Sequence, residues 1–272
     1  MKYHVEIKEL LSVGHVEVED LPKVDVERKQ RMYNRSTSRG SQVKWVKGDL
    51  FVKLDTKGCY ESLSETFVTY LLKCSNVKEY VEYEQCRIYE EGKYLGIGCC
   101  SKSFLKDGEK DISFYRILKN YGYKIQGMGY NEVRDAVSDV VGFDIKGYMD
   151  TCLCLDAITY NEDRHLNNLS VVKQSNGLYR PAPIYDNGLS CLSDTFSYPM
   201  DELLINNLNS VTALPFNTSF IRQLEGNYAT PILIDKGSFI NSVQVETPEE
   251  VRAFEVIKAG LERTEGLAWE MY

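Results

Sequence analysis

Two short polar segments, separated by a predicted turn, constrain this chain more than any other feature. Residues 161–168 read Asn-Glu-Asp-Arg-His-Leu-Asn-Asn, and residues 185–188 read Tyr-Asp-Asn-Gly. They place Asp163 five residues before Asn168, with a second carboxylate, Asp186, beyond the turn. An Asp can orient or deprotonate a hydroxyl group, while an amide oxygen and a second carboxylate are hard ligands that suit magnesium on nucleotide phosphates. This spacing therefore predicts a phosphotransfer site.

The flanking segments predict how the fold presents these residues. Residues 168–173 and 178–184 are short β-prone runs, and the Ser-Asn-Gly sequence at 175–177 is a turn signal, because Asn and Gly tolerate positive φ. Upstream, apolar residues recur over 145–160, which predicts a mostly buried helix that delivers the Asp163 loop at its C-terminal end. The predicted order is helix, loop, hairpin and metal-binding Asp.

This order and these residues resemble the HipA-like serine/threonine kinases, whose loop reads Asn-x-Asp-x-His-x-x-Asn and whose metal motif reads Tyr-Asp. The sequence also resembles the bacterial CtkA-like kinases, which share that compact core. The resemblance implies that Asp163 is the catalytic Asp and that Asn168 and Asp186 bind Mg²⁺. It implies in addition that His165 lies near the phosphates or braces the loop, and that Asn167 is a spectator.

A kinase also needs a lysine on a strand and a carboxylate that holds it. Residues 49–54 read Asp-Leu-Phe-Val-Lys-Leu, an apolar strand with one inserted lysine, and Glu65 lies in the next helical stretch, 62–72. An ammonium group neutralises phosphate charge, and an ion pair with a helix Glu fixes its position. We therefore predict that Lys53 pairs with Glu65, with Glu61 as the competing carboxylate.

The segment before that strand, residues 36–44, is a polar loop with hydroxyl groups, one glycine and flanking cations. Backbone N–H groups in such a loop can cradle phosphates. HipA-like kinases carry Ser-Gly-x-Gln-x-Lys here, and this chain is similar in the last five positions but has Arg39 in place of the serine. The resemblance implies nucleotide contacts from Ser38, Gly40, Ser41, Gln42 and Lys44. The departure at Arg39 leaves the site of any autophosphorylation open among Ser36, Thr37, Ser38 and Ser41.

Charge and cysteine content narrow the class of protein. The formal net charge of −8 disfavours nonspecific binding of nucleic acid by the chain as a whole. The eight cysteines lack the paired spacing of a zinc site, and most are expected to be packed thiols in a reducing compartment. The sequence contains no run of about 18 consecutive apolar residues, so no transmembrane helix is expected. The first eight residues alternate apolar and charged side chains, which predicts a strand rather than a signal peptide, and so a cytoplasmic protein.

The predicted fold is α+β, bilobal and protein-kinase-like. Residues 1–100 are expected to form an N-lobe and residues 101–272 a C-lobe, together one catalytic unit. The N-lobe prediction is a small antiparallel sheet with one helix: strands near 2–10, 42–54, 82–90 and 93–100, and a helix near 62–73. The C-lobe prediction is mainly helical, with segments near 111–119, 131–141, 145–160, 201–209, 217–224 and 247–264. By chain order, an adenine hinge is expected near 100–102.

The predicted reaction transfers the γ-phosphoryl group of ATP, with Mg²⁺, to a Ser or Thr hydroxyl of a protein. The loop pattern Asp-Arg-His-x-x-Asn also occurs in phosphatidylinositol kinases, so a lipid acceptor is the enzymatic alternative, although those enzymes usually continue to Asp-Phe-Gly. A non-catalytic ATP-binding module is a second alternative. A third is nucleic-acid binding by residues 28–47, which contain seven cationic side chains and no acidic one. The sequence leaves open an antitoxin-like partner and export to a host.

Overall fold

The computed structural model describes residues 15–32, 42–224 and 232–265. They form a six-stranded sheet with one helix, followed by a three-stranded sheet and a mainly helical part. This is the mixed α+β architecture that the sequence predicts. The strand predicted at 2–10 lies outside the described residues, as do Ser36, Thr37, Ser38, Arg39, Gly40 and Ser41 of the predicted phosphate loop.

The six-stranded sheet holds the first half of the site. Its strands are β1 (Lys23–Val26), β2 (Arg31–Met32), β3 (Lys44–Lys47), β4 (Leu50–Leu54), β5 (Glu84–Glu90) and β6 (Lys93–Lys102), in the order β1-β5-β6-β4-β3-β2. The prediction of an antiparallel sheet is wrong at one edge, because β1 runs parallel to β5. A parallel pair needs a long crossover, and here the chain passes through β2, β3, β4 and a helix between the two strands.

The observed strand boundaries correct two other predictions for this sheet, the single strand at 42–54 and the hinge at 100–102. The single strand predicted at 42–54 is a hairpin of β3 and β4, because Gly48 adopts a φ of +63° and reverses the chain. The stretch predicted as a hinge, 100–102, is still paired with β4, as shown by Leu50 opposite Lys102. Any hinge therefore begins after Lys102.

Helix α1 (Glu61–Lys73) follows β4 and agrees with the predicted helix to within one residue. Its buried apolar residues include Phe67, Val68, Leu71 and Leu72, which recur at the i, i+4 spacing of one helix face. This face joins the main hydrophobic core, which also contains residues of the helical part. Helix α1 therefore connects the sheet to the rest of the molecule.

A second sheet carries the predicted hairpin. It contains β7 (Lys110–Ser113), β8 (Ser170–Lys173) and β9 (Tyr179–Pro181), in that order and antiparallel. The hairpin of β8 and β9 is confirmed, with Gly177 at a φ of +87° in its turn. The helix predicted at 111–119 begins later, because Asp111 and Ile112 pair with β8. Ser113 then caps the helix that follows, accepting a hydrogen bond from Arg116 N.

The remaining helices are α2 (Phe114–Asn120), α3 (Tyr130–Val141), α4 (Lys146–Thr159), α5 (Leu204–Ser210), α6 (Phe220–Leu224), α7 (Lys236–Ser242) and α8 (Pro248–Thr264). All except α7 were predicted from the sequence. The predicted capping box of α8 is confirmed: Thr247 Oγ1 accepts from Glu250 N, and Glu250 Oε2 accepts from Thr247 N.

None of the helices in the described ranges is long and apolar enough to cross a membrane. All eight cysteines are free thiols, and five are buried.

Helices α4 and α8 pack so closely that a glycine is required between them. A Cβ atom on Gly260 would overlap the backbone carbonyl group of Ile158.

We expect Gly260→Ala to lower the free energy of unfolding by about 1–3 kcal/mol, because overpacking outweighs the better helix propensity of Ala. Urea unfolding measures this. Gly237→Ala in α7, where no atom lies closer than 3.5 Å to the added Cβ, is the control and should not destabilise the protein. Equal effects of the two substitutions would contradict the packing argument.

Candidate active site

The structure brings Lys53, Glu65 and Asp186 into one cluster, although they are widely separated in sequence. Lys53 lies on β4, between β6 and β3, and its Nζ is 2.8 Å from Glu65 Oε1 and 2.7 Å from Asp186 Oδ1. Glu65 projects from α1 and is only 1% exposed. The competing carboxylate, Glu61, instead accepts hydrogen bonds from Thr56 N and Oγ1, at 2.5 and 3.0 Å. Lys53 therefore pairs with Glu65 and not with Glu61.

Tyr83 forms one wall of this cluster. The Lys53 ammonium lies 4.7 Å from the centre of the Tyr83 ring, within the range of a cation–π interaction. The Tyr83 hydroxyl accepts long hydrogen bonds from Lys53 Nζ and from the backbone N–H of Asp186, both at 3.4 Å. Its own backbone N–H donates to Thr69 Oγ1. Tyr83 thus positions Lys53 against Asp186. It lies at the start of the strand predicted at 82–90, just before β5, and the strand pattern does not distinguish it from its neighbours.

One ammonium group lies between two carboxylates, and each of the three groups shifts the pKa of the others. Burial alone would lower the pKa of Lys53, but the Asp186 and Glu65 carboxylates hold it well above its usual range. Burial would raise the pKa of Asp186, yet the ammonium groups of Lys53 and then Lys44 hold it well below its usual range. Burial raises the pKa of Glu65. Asp186, with 28% of its side chain exposed, is therefore a partly exposed, ionised carboxylate.

The backbone around Asp186 is fixed by α1. Asp186 has a φ of +59°, a left-handed conformation that Asp tolerates better than most residues. The next residue, Asn187, donates its N–H to Glu65 Oε2 at 3.0 Å and accepts from Ser64 Oγ at its carbonyl. Glu65 thus uses one oxygen for Lys53 and the other for Asn187. Any movement of α1 would disturb both.

The loop that carries Asp163 begins where α4 ends. Tyr160 adopts a φ of +55° and closes the helix, and Asn161 then donates from Nδ2 to Asp156 Oδ1 at 3.0 Å. Asn161 Oδ1 accepts from Asp163 N, and Asn168 Nδ2 donates to the Asp163 carbonyl, both at 3.0 Å. Because the Asn168 amide nitrogen faces Asp163, its amide oxygen points the other way. The predicted order of helix, loop and hairpin is confirmed.

Arg164, fully buried, holds this loop against the segment that contains Asp186. Its guanidinium group forms a bidentate ion pair with Asp156, in which Nε and Nη2 lie 3.0–3.1 Å from the carboxylate oxygens. It also donates to the carbonyl oxygens of Asn168 and Tyr185 and to Asn187 Oδ1, at 3.2, 2.9 and 2.7 Å. The pattern Asn-x-Asp-x-His-x-x-Asn gives Arg164 no role, and the pattern Asp-Arg-His-x-x-Asn includes it without saying what it contacts. The available signal was Asp156, a carboxylate inside an otherwise apolar stretch of helix, which requires a buried counter-charge.

The remaining predicted residues lie in the Asp163 loop and at the start of β3. Asp163 and His165 lie together in the loop, with 3.9 Å between Asp163 Oδ2 and His165 Nε2. The His165 backbone N–H donates to the Asp163 carbonyl, and its carbonyl accepts from Asn168 N, both at 2.8 Å. Lys44 lies opposite Lys53 in the sheet, with its Nζ 4.0 Å from Asp186 Oδ2. Gln42 is half-buried just before β3, and within the described ranges it forms no hydrogen bond with Lys53, Glu65 or Asp186.

The donor set fits a magnesium ion that is bound together with phosphate. Asn168 offers an amide oxygen and Asp186 a carboxylate whose pKa is lowered by its cationic neighbours. Mg²⁺ is commonly held by one or two protein groups and completes its shell with substrate phosphates and water. Within the described ranges no group of three or more His, Cys, Asp or Glu side chains is placed to hold a metal by itself. The arrangement is therefore suited to a metal–nucleotide complex.

Comparisons with known proteins agree with this architecture. No protein-family model matches the chain, and no curated protein matches it. The chain is similar in structure to the crystal structure of a Helicobacter pylori proinflammatory kinase, CtkA, with a TM-score of 0.61 and 15% sequence identity. The match covers 89% of this chain and 95% of that chain. At this level of identity the likeness establishes a kinase-like fold.

The Arg164–Asp156 pair generates a stability prediction. Arg164→Met should lower the free energy of unfolding by about 3–5 kcal/mol, because it leaves the Asp156 carboxylate buried without its counter-charge. The double variant Asp156→Asn/Arg164→Met should recover part of this loss in urea unfolding. A double variant no more stable than Arg164→Met would contradict the explanation. Arg134→Met, which breaks a surface pair with Asp135, is the control and should change stability little.

Asp55, which stabilises the start of α1, generates a pH prediction. Its carboxylate accepts hydrogen bonds from Ser62 N and Oγ, at 2.8 and 2.6 Å, and burial raises its pKa to about 7. Between pH ~4, the ordinary range of Asp, and pH ~7 the folded state then binds more protons than the unfolded state. Asp55 therefore contributes stability at low pH that is lost as the pH rises through this window.

Asp55→Asn should flatten this dependence. We expect the melting temperature of the wild type to fall more between pH 5 and pH 8 than that of the variant, as measured by thermal unfolding in matched buffers. Asp235→Asn is the control, because Asp235 makes the same kind of cap on α7 but has a pKa lowered by its bonds to Ser238. Its contribution is already complete above pH ~5. Parallel curves for the wild type and Asp55→Asn would refute the assignment.

Proposed function

We propose that this protein is an ATP- and Mg²⁺-dependent kinase of the HipA-like type, which transfers the γ-phosphoryl group of ATP to a Ser or Thr hydroxyl of a protein. The observation that carries the proposal is the cluster in which a strand lysine, Lys53, contacts both a helix carboxylate, Glu65, and the candidate metal ligand, Asp186. In this proposal the six-stranded sheet and the helical part are the two lobes of a kinase, with ATP between them.

Lys53 would hold the nucleotide phosphates. Its ammonium group stays charged at neutral pH because two carboxylates raise its pKa. Its position is fixed by Glu65 from the helix side and by the Tyr83 ring. A fixed cation stabilises phosphate charge without the reorganisation that a mobile one would need. Lys44, on the same face of the sheet, would add a second cation, with Gln42, Ser38, Gly40 and Ser41 contributing from the loop before it.

Asn168 and Asp186 would bind the magnesium ion. When bound, Mg²⁺ bridges phosphate oxygens and neutralises the charge that develops during transfer. Arg164 supports both ligands, because it donates to the Asn168 carbonyl and to the carbonyl of Tyr185, next to Asp186. The two ligands come from different segments, and one buried side chain sets their separation. Arg164 is thus a positioning residue in the proposed site.

Asp163 would orient the acceptor hydroxyl and take its proton. The Asn168 side chain is bonded to the Asp163 backbone, so the base and one metal ligand belong to a single rigid turn. The backbone of His165 donates to Asp163 and accepts from Asn168. These main-chain contacts brace the turn, and the His165 ring would act beside Asp163, with its Nε2 3.9 Å from Asp163 Oδ2.

The proposal is tested by incubating the purified protein with Mg²⁺ and ATP and locating phosphate by intact mass and peptide mapping. Asp163→Ala should reduce transfer by about 10²–10⁴-fold, because general-base catalysis is lost, while the shift in Tm caused by ATP should persist. Asp201→Asn, on the exposed surface, is the control and should retain wild-type transfer. Wild-type turnover by Asp163→Ala would rule out the assigned role.

The same assay separates the alternative functions. A shift in Tm with ATP but no phosphorylated protein would direct the test to vesicles that contain phosphatidylinositol, where a labelled lipid product would identify a lipid kinase. Stabilisation by ATP with neither product would identify a non-catalytic nucleotide-binding module. If phosphate on the wild type maps to residues 36–41, the protein phosphorylates its own loop.

A further inference from the structure

A surface next to the Asp163 loop combines cationic and aromatic side chains. It consists of the exposed residues of α2 and of the turn that follows: Tyr115, Arg116, Lys119, Tyr121, Tyr123 and Lys124. We call it the α2 surface. The proposed reaction does not use any of these residues.

The α2 surface lies beside the loop that would present Asp163 to an acceptor. The first backbone N–H groups of α2 donate to that loop, Tyr115 N to Leu166 O at 3.0 Å and Phe114 N to Leu169 O at 2.8 Å. Ser113 Oγ also lies 3.4 Å from Asn167 Oδ1. A polypeptide that places a hydroxyl group at Asp163 therefore has the α2 surface within a few residues of its path.

The charge of the α2 surface is opposite to that of the whole chain. Residues 112–131 contain three cations and no Asp or Glu, although the formal net charge is −8. In the part of the chain that the structure describes, Arg116, Lys119 and Lys124 form no ion pair within 4.0 Å. Of the neighbouring carboxylates, Glu132 accepts from Gly129 N, and Asp111 accepts from the hydroxyl of Tyr185 while it attracts Arg116 at longer range. The three cations are therefore available to an anionic partner.

The aromatic residues of the α2 surface are exposed on a fixed backbone. Tyr115, Tyr121 and Tyr123 are 38%, 64% and 39% exposed. The turn is held by Tyr121 N donating to Ile117 O and by Tyr123 N donating to Leu118 O, and Gly122 supplies the φ of +78° that the turn requires. Exposed Tyr and Arg side chains are enriched where proteins bind proteins, since a Tyr ring buries a large area and has few rotatable bonds.

We propose that the α2 surface binds an acidic segment of the acceptor protein, close to the hydroxyl group that is phosphorylated. This inference rests on the proposed function, because it assigns the surface to recognition of the acceptor. An acidic polypeptide fits better than nucleic acid. Three cations neutralise few phosphates, and the net negative charge of the chain repels a long polyanion.

The test uses three synthetic peptides in which one serine is flanked by glutamates, by glutamines or by lysines. Binding is measured by fluorescence anisotropy without nucleotide, and phosphate transfer is measured with Mg²⁺ and ATP. The test variant carries Arg116→Glu, Lys119→Glu and Lys124→Glu. The control carries Lys78→Glu, Lys93→Glu and Lys173→Glu, exposed positions outside the surface with the same change of formal charge. A Gln version of the test variant covers the case in which three new carboxylates impair folding.

In the wild type at low salt, the glutamate peptide should bind about tenfold more tightly than the glutamine peptide, and 0.5 M NaCl should remove the difference. In the test variant this preference should fall to within twofold, and the KM for the glutamate peptide should rise about tenfold with kcat nearly unchanged. The control should keep the preference. A preference that survives in the test variant, or that is lost equally in the control, overturns the proposal.

Two further outcomes are decisive. If the test variant loses binding to single-stranded RNA but not to the glutamate peptide, the surface binds nucleic acid and the proposal is wrong. The anisotropy measurement does not depend on phosphate transfer. If the wild type transfers no phosphate yet binds the glutamate peptide through the α2 surface, the docking inference stands and the proposed kinase activity fails.

Discussion

The carboxylate of Glu65 connects three parts of the chain that are far apart in sequence. One oxygen contacts the Lys53 ammonium on the sheet, and the other accepts the backbone N–H of Asn187, while the residue itself belongs to α1. A buried carboxylate is costly unless both oxygens are satisfied, so these contacts are obligatory for the folded state. The position of Lys53, the placement of α1 and the backbone next to Asp186 therefore cannot vary independently.

In the helical part, Arg164 likewise connects segments that are far apart in sequence. Its ion pair with Asp156 is fully buried, and such a pair adds little net stability compared with apolar residues of the same volume. Its guanidinium group also donates to Asn168, Tyr185 and Asn187. These directional bonds fix the distance between the loop and the segment around Asp186, which apolar packing would leave less well defined. The pair is thus better explained by geometry at the site than by stability.

The sequence predicts this structure where local pattern and tertiary environment agree. The capping box at Thr247 and the Ser-Asn-Gly turn are local signals, and both are present. The local period does not predict strand β1, and it predicts a helix where 111–112 form a strand, because both strands depend on partners distant in sequence. Within the site, Lys53 and Asp186 stand out because a charge in an apolar run and a carboxylate after a hairpin are conspicuous. Tyr83 is one of several side chains in the strand predicted at 82–90, and Arg164 is indicated only indirectly, through the carboxylate of Asp156. Their tertiary contacts are needed to show what they hold.

The charges of this molecule are divided between two environments, and in the proposed function this division would separate chemistry from recognition. Buried charges such as Glu65 and Arg164 have all their partners inside the fold, where the low dielectric strengthens each contact and makes it insensitive to salt. The cations of the α2 surface are solvated and act over a Debye length, so each contributes little to rigidity but can attract a partner. In the proposed reaction, substitutions in the first group would alter transition-state geometry, whereas those in the second would alter encounter and ground-state binding. A chain built in this way can change its acceptor without rebuilding the site that would carry out the reaction.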